Sequence, residues 1–502
     1  MARKDTMLPS ADLAEVLGRT DAAGQRPKPE RDEERRDDRA RERAHVWAPR
    51  RGWNQPYAGR SAAIYKPPTV RASSAQAQGI YPWVHGASLP PVGAYIGVDT
   101  MSGESFCAHP IEWLLRGIVT NPNILITGIP GSGKSATIKG LALRLMAYGI
   151  TPLVAGDLKN EYSGLCRAVG VEPVELGPGL PTRLNPLDAG PLGQNLPSDP
   201  ALLRDRLSEI HRRRTALLSS LLMMHLHRSL TPTEEAALTE ALRQVTGEAS
   251  GASELRDPTI PEVLAALRDP SAAMVNSLRI PGADAETLRE MVRPVVDALF
   301  NMISGSLGGL FDQPTTVKPD FAAPIQCVDI SRLDGRGESL VAMTLACVSS
   351  WAQAAIDEPG GPVRMIIRDE LWRQVRIPAM VRKVDGDLRL SRAQGTIQVL
   401  ATHRLSDFES VGTAGSEEVA IARGLIASCD TRICLAQDTG PLAMTREAIG
   451  LTDTECEHIA SWSAAQIGRA IWKVGRYSSH SVQMILSGAE KQLFYTNERM
   501  HA

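Results

Sequence analysis

The stretch GIPGSGKS, residues 128 to 135, constrains this chain more than any other feature. It satisfies the spacing GxxxxGK[ST] through Gly128, Gly133, Lys134 and Ser135. A loop of this kind gathers successive backbone N–H groups into one concavity. The helix that follows adds its positive end, so phosphate oxygens are held there. Pro130, Gly131, Ser132 and Ala136 complete the expected cradle. Lys134 is expected to reach the β- and γ-phosphates, and the Ser135 hydroxyl to ligate magnesium. The flanks agree. NILITG (123 to 128) reads as a buried strand, and GKSATIKGLALRLMAYG has helical periodicity, with Gly149 as its candidate C-cap. TPLVAGD (151 to 157) is the next strand. Strand, helix and strand at this spacing imply a mostly parallel sheet with helices packed on it, the α/β P-loop architecture.

Hydrolysis needs an acid at the end of a neighbouring strand, and VRMIIRDELW supplies two. Asp369 fits a magnesium-holding carboxylate, and Glu370 a base that orients the attacking water. TIQVLATH (396 to 403) reads as a further strand whose carboxyl end carries Thr402 and His403, where a γ-phosphate can be sensed. Arg389 and Arg392, just before it, are candidates for stabilising transferred charge in a neighbouring subunit.

The rest of the chain is organised around these parts. Residues 1–80 are dense in both charge signs and poor in large apolar side chains, so they read as a largely disordered tail, or as an arm that folds on a partner through Trp47, Trp53, Tyr57 and Tyr65. Residues 81–190 and 301–495 carry the sheet-like texture of the ATPase domain, and 496–502 are a short tail. Between them, 191–300 reads as an all-helical insertion, with TPTEEAAL marking a helix start at Thr233 and the Leu/Met stripe at 217–226 as core. Seven scattered cysteines without a CxxC pair point to reduced thiols. The net charge of -2 gives no global attraction to polyanions, so contact with DNA requires a local patch. No run approaches eighteen apolar residues, so no integral membrane segment is expected.

Together these stretches resemble one family. From about residue 92 to 495 the chain is similar to the conjugation and type IV secretion ATPases, the VirB-four/TraC-like branch of the FtsK–HerA superfamily. YIGVDTMSG matches the lead-in hairpin, NILITGIPGSGKS the Walker A, and GDLKNEYSGL an acidic D-x-K-x-E-Y segment. LNPLD (184 to 188) and SGSLGGLFD (304 to 312) follow in order. IIRDELW resembles an Asp-Glu-x-Trp Walker B, and LSRAQGTIQVLATHRLSDF an Arg-then-Ala-Thr-Gln segment. The resemblance implies a Mg2+-dependent ATPase forming a homo-hexamer with ATP at subunit borders. Such a protein works in the cytoplasm at the inner face of the membrane, beside inner-membrane channel proteins of a secretion or conjugation apparatus. A DNA-pumping translocase and a non-hydrolysing, nucleotide-dependent scaffold are the alternatives. Two departures stand out. His403 occupies the position of the family's sensor glutamine, and a charged tail stands where a large N-terminal domain is usual.

Overall fold

The structure, a computed structural model, describes Pro56 and residues 89–495 except 195, 249–253, 283, 305–308, 317–319, 321, 358–360, 376, 410–415 and 477. The chain divides into two units, Met1–His85 and Gly86–Ala502. The expected tail with its aromatic anchors, apart from Pro56, and the 496–502 segment lie outside the described residues.

Among the described residues eleven strands form one sheet in the order β2-β1-β11-β10-β9-β3-β8-β7-β4-β6-β5. They are β1 (Ala94–Asp99), β2 (Ser105–Ala108), β3 (Ile124–Thr127), β4 (Thr151–Asp157), β5 (Val174–Glu175), β6 (Gln326–Asp329), β7 (Arg364–Arg368), β8 (Ile397–Thr402), β9 (Thr431–Cys434), β10 (Arg469–Val474) and β11 (Ser478–Met484). From β9 to β5 every neighbouring pair is parallel, while β10, β11, β1 and β2 continue the sheet antiparallel. The mostly parallel sheet read from the sequence is therefore present.

Parallel strands buried on both faces need continuous apolar runs, because successive side chains point to opposite sides. Ile124 and Ile126, Val154, Met365 and Ile367 pack into the core on one face. Leu153, Ala155 and Ile366 pack into a core on the other, and Leu125 and Leu400 into a third cluster. The helices follow the strands: α1 (Pro110–Leu115), α2 (Lys134–Met146), α3 (Ser163–Ala168), α4 (Pro200–Leu226), α5 (Pro232–Thr246), α6 (Ile260–Arg268), α7 (Ala272–Leu278), α8 (Ala285–Ser304), α9 (Glu338–Ile356), α10 (Leu371–Val375), α11 (Pro378–Gln394), α12 (Glu417–Ala427), α13 (Thr439–Ile449), α14 (Asp453–Glu457) and α15 (Gly488–Leu493). By length and composition α9 is apolar enough to cross a membrane, yet 83% of its most apolar stretch is buried inside the molecule, where it forms the core against β4 and α4.

Between 200 and 304 every described element is a helix. α5 begins at Thr231, not at the expected Thr233. The Thr231 hydroxyl caps the Glu234 amide while the Glu234 carboxylate accepts from the Thr231 amide at 2.7 Å, and Pro232 takes the first helical position. Leu217, Leu218, Leu221 and Leu222 are core, but Met223 and Met224 are only half-buried, so the apolar stripe is narrower than its sequence suggests. α2 is capped at Ala147, and Gly149 takes its left-handed conformation two residues later, after the helix has ended.

Candidate nucleotide site at the strand ends

The glycine-rich loop joins the carboxyl end of β3 to α2. Gly131 and Gly133 adopt φ of 78° and 103°, open to glycine at little cost. A Cβ on Gly128 would sit 2.8 Å from Leu435 Cβ and Ser132 Oγ, so the loop's close fit to the end of β9 also requires glycine. The loop is tied down on that side, with the Ile129 amide donating to Ala436 O at 2.9 Å and the Gly468 amide to Ser132 O at 3.2 Å. Pro130 and Gly131 are exposed, Ser132 is buried, and Ser135 and Ala136 are half-buried in the first turn of α2.

Lys134 is buried, and its ammonium folds back onto the loop, donating to Gly128 O at 2.7 Å and Ile129 O at 3.2 Å. Its third hydrogen meets His403 Nδ1 at 2.8 Å. Because an ammonium can only donate, Nδ1 accepts, and the ring proton sits on Nε2, which donates to Glu370 Oε1 at 3.1 Å. One imidazole thus joins the P-loop lysine to the acidic pair. Burial lowers the Lys134 pKa to about 8, against the opposing pull of Asp369 and Glu370.

Glu370 is held from three sides. Lys159 and the Trp372 indole donate to its two oxygens, alongside His403. Burial alone would raise its pKa, but the hydrogen bonds from His403, Lys159 and Trp372 hold it well below the usual carboxylate range. Its backbone φ is 53°, a left-handed conformation that a glutamate adopts only where its surroundings enforce it.

Asp369 is a different case. Burial and the neighbouring charges of Glu161 and Glu370 raise its pKa, and it accepts from the Tyr162 hydroxyl at 2.9 Å and the Glu370 amide at 2.9 Å. A buried carboxylate raised in this way is short of positive charge, the condition a divalent cation relieves. Asp369 and the half-buried Ser135 are the oxygen donors suited to magnesium, a hard cation that takes oxygen ligands. Asp157, at the end of β4, is pushed by burial to about 6, although it accepts from the amides of Tyr162 and Lys159. Behind it, Lys139 is buried with its ammonium 3.9 Å from Glu161 and no hydrogen bond among the described residues.

Thr402 and His403 lie at the carboxyl end of β8, and the Thr402 hydroxyl contacts Asp407 at 3.2 Å. Arg389 and Arg392 do not approach this cradle. They sit exposed near the end of α11, which runs back along the sheet. The Asn123 side chain, just before β3, donates to Leu388 O at 3.1 Å, which puts these arginines at the amino end of the strands. Arg389 pairs with Asp385 on its own helix at 2.9 Å. Site members not singled out from the sequence are Lys159, Tyr162 and Trp372. Their signal was present in the D-x-K-x-E-Y and Asp-Glu-x-Trp segments.

No protein-family model matches the chain, and no curated protein matches it. Among solved structures, VirB4 of Thermoanaerobacter pseudethanolicus matches with a TM-score of 0.63 at 21% identity, covering 81% of this chain and 100% of that one. The plasmid coupling protein TrwB in complex with the non-hydrolysable GTP analogue GDPNP matches with a TM-score of 0.50 at 13% identity, over 79% of this chain and 91% of that one. TrwB in complex with ADP and Mg2+ matches with a TM-score of 0.50 at 12% identity, over 81% and 92%. The resemblance drawn from the ordered motifs therefore holds in three dimensions: this chain has the P-loop α/β fold that VirB4 and TrwB share.

Proposed function

We propose that the chain is an ATP-hydrolysing motor that energises a conjugative or type IV secretion apparatus. One observation carries this reading: Lys134, His403 and Glu370 form a continuous hydrogen-bonded chain, with Asp369 adjoining, so phosphate lysine, metal acid and water-orienting base converge on one spot. When a triphosphate enters the cradle, Lys134 exchanges loop carbonyls for phosphate oxygens, and Glu370 is positioned to orient water for in-line attack. Ser135 and Asp369 would hold magnesium, which would supply charge neutralisation at the phosphates. A ring of identical subunits, a hexamer by resemblance, belongs to this reading, and Arg389 and Arg392, far from this chain's own cradle, are its candidates for reaching a neighbouring copy's nucleotide. The fold likeness to VirB4 and to a plasmid coupling protein supports the secretion setting, with channel proteins at the inner face of the membrane as partners.

Phosphate release from ATP tests the reading directly. Lys134→Ala and Glu370→Gln are each expected to reduce turnover by about a hundredfold or more, the size of lost transition-state stabilisation. Unchanged turnover in both variants sinks it. Stimulation of tenfold or more by duplex DNA, falling steeply with salt, would replace it by a DNA translocase. ATP-dependent oligomers with no turnover would identify a scaffold.

A further inference from the structure

The strand order gives the bound nucleotide a direction. The groups that must meet the γ-phosphate, His403 just after β8 and Asp369–Glu370 after β7, stand on one side of β3. The nucleoside end of the ligand is therefore directed to the other side, toward β9 and β10. There the segment Ser463–Gly468 leads into β10 and borders the cradle. Ile467 Cγ2 and the Gly468 amide both lie 3.1 Å from the place a Cβ on Gly133 would occupy, directly beside the first turn of α2.

Ile467 is 70% exposed, the most exposed of the large apolar side chains among the described residues. Its backbone is nonetheless firmly held. The Gly468 amide donates to Ser132 O, and Gly468 O accepts from the Met484 amide at 2.9 Å. Arg469 donates to Gln483 at 2.8 Å and to Trp462 O at 3.2 Å, while its guanidinium stacks on the Trp462 ring at 5.1 Å. A π-helical turn, His458–Trp462, precedes the segment, a rare form concentrated at functional sites. An anchored loop that keeps a branched apolar side chain in solvent beside a phosphate cradle has the form of a seat for a flat apolar face.

We propose that Ile467 is the seat for the nucleobase of the triphosphate held by Lys134. This inference rests on the nucleotide-site reading above and adds a specificity-determining residue to it. The base packs on the side chain by apolar contact, so the residue contributes to affinity for nucleoside ligands and nothing to the phosphates.

Calorimetric titration of the full chain with ATP and with inorganic tripolyphosphate tests it. Ile467→Ala removes about 50 Å² of apolar contact, so ATP affinity is expected to fall about tenfold. Tripolyphosphate affinity stays as in the unaltered chain, and Ile467→Leu restores ATP binding. Lys134→Ala weakens both ligands. Equal ATP affinity in Ile467→Ala and the unaltered chain overturns the inference while leaving the phosphate site intact. So does an equal loss for both ligands, which would mean that the segment only holds the P-loop, or a change of oligomeric state alone, which would assign Ile467 to a second copy. Failure of the unaltered chain to bind either ligand removes the phosphate site and this inference together.

Discussion

In α5 and α6 local signals and burial agree. Thr231 and Thr259 begin α5 and α6 with capping boxes, Leu238, Ala241 and Leu242 line one face, and Gly247 ends α5 in the left-handed conformation that glycine takes readily. At the carboxyl ends of β3, β4, β7 and β8 they conflict. An ammonium and two carboxylates are buried with shifted proton affinities, Glu370 holds a backbone conformation unfavourable to it, and Lys139 of the adjoining α2 has no hydrogen bond among the described residues. The first region spends its residues on staying folded. The second keeps groups in states that the proposed triphosphate and cation would relieve, and such departures from local preference concentrate at functional sites.

The contrast breaks most visibly if the helical block also sets the rate. Leu238 is fully buried, so Leu238→Ala is expected to cost about 2–5 kcal/mol of stability in denaturant titration. Turnover per folded molecule should not move. A fall comparable to that of Glu370→Gln would couple the two regions and end the distinction.

Lys134→Met tests the strained side. The folded pKa of about 8 lies below the 10.5 of an ordinary lysine, so the folded state binds this proton less readily than the unfolded chain. The cost of the buried charge is fully present below pH 8 and is relieved as pH rises toward 10.5. That gap corresponds to about 3 kcal/mol, and the lost hydrogen bonds give back about 1–2 kcal/mol of it. Empty Lys134→Met protein should therefore be more stable than the unaltered chain by about 1–2 kcal/mol at neutral pH. The gain should shrink by pH 10, and turnover should be absent. A destabilised variant would show that the lysine's hydrogen bonds outweigh its burial. His403→Leu severs both links of the imidazole and is expected to lower turnover about tenfold, near 1.5 kcal/mol. His403→Gln, with one donor and one acceptor, should keep most of it. Equal rates in all three would remove the imidazole from the machinery.

What could be read from the sequence follows the range of each signal. Strands showed because an apolar run such as NILITG must be buried whichever face each side chain takes, and the cradle showed because its spacing is local. Lys159 and Tyr162 stand in a segment the motifs marked, but their pairing with the acidic residues was not legible. Lys159 meets Glu370 across 211 residues and Tyr162 meets Asp369 across 207, contacts made only when β4 and β7 lie side by side. Arg389 and Arg392, close to β8 in sequence, lie at the other end of the sheet because α11 runs back along it, and a role for them toward a neighbouring copy stays part of the proposal.

The smallest effect separates two threonines in one octapeptide, TPTEEAAL. From sequence, Thr233 precedes Glu234 and Glu235 and looks like a helix start. Thr231 is the cap because Pro232 suits the first helical position, where no amide partner is needed, and because Glu234 then falls three residues on, able to bond back. Arg228 fixes that carboxylate further, donating to it at 2.6 and 2.8 Å and holding the Glu234 pKa low, at about 2. Thr231→Ala is therefore expected to cost about 1 kcal/mol, and Thr233→Ala less than about 0.5 kcal/mol, as at an ordinary surface position. Both should leave turnover untouched. Reversed costs in the two variants would move the start of α5 and, with it, the claim that this region obeys its local rules.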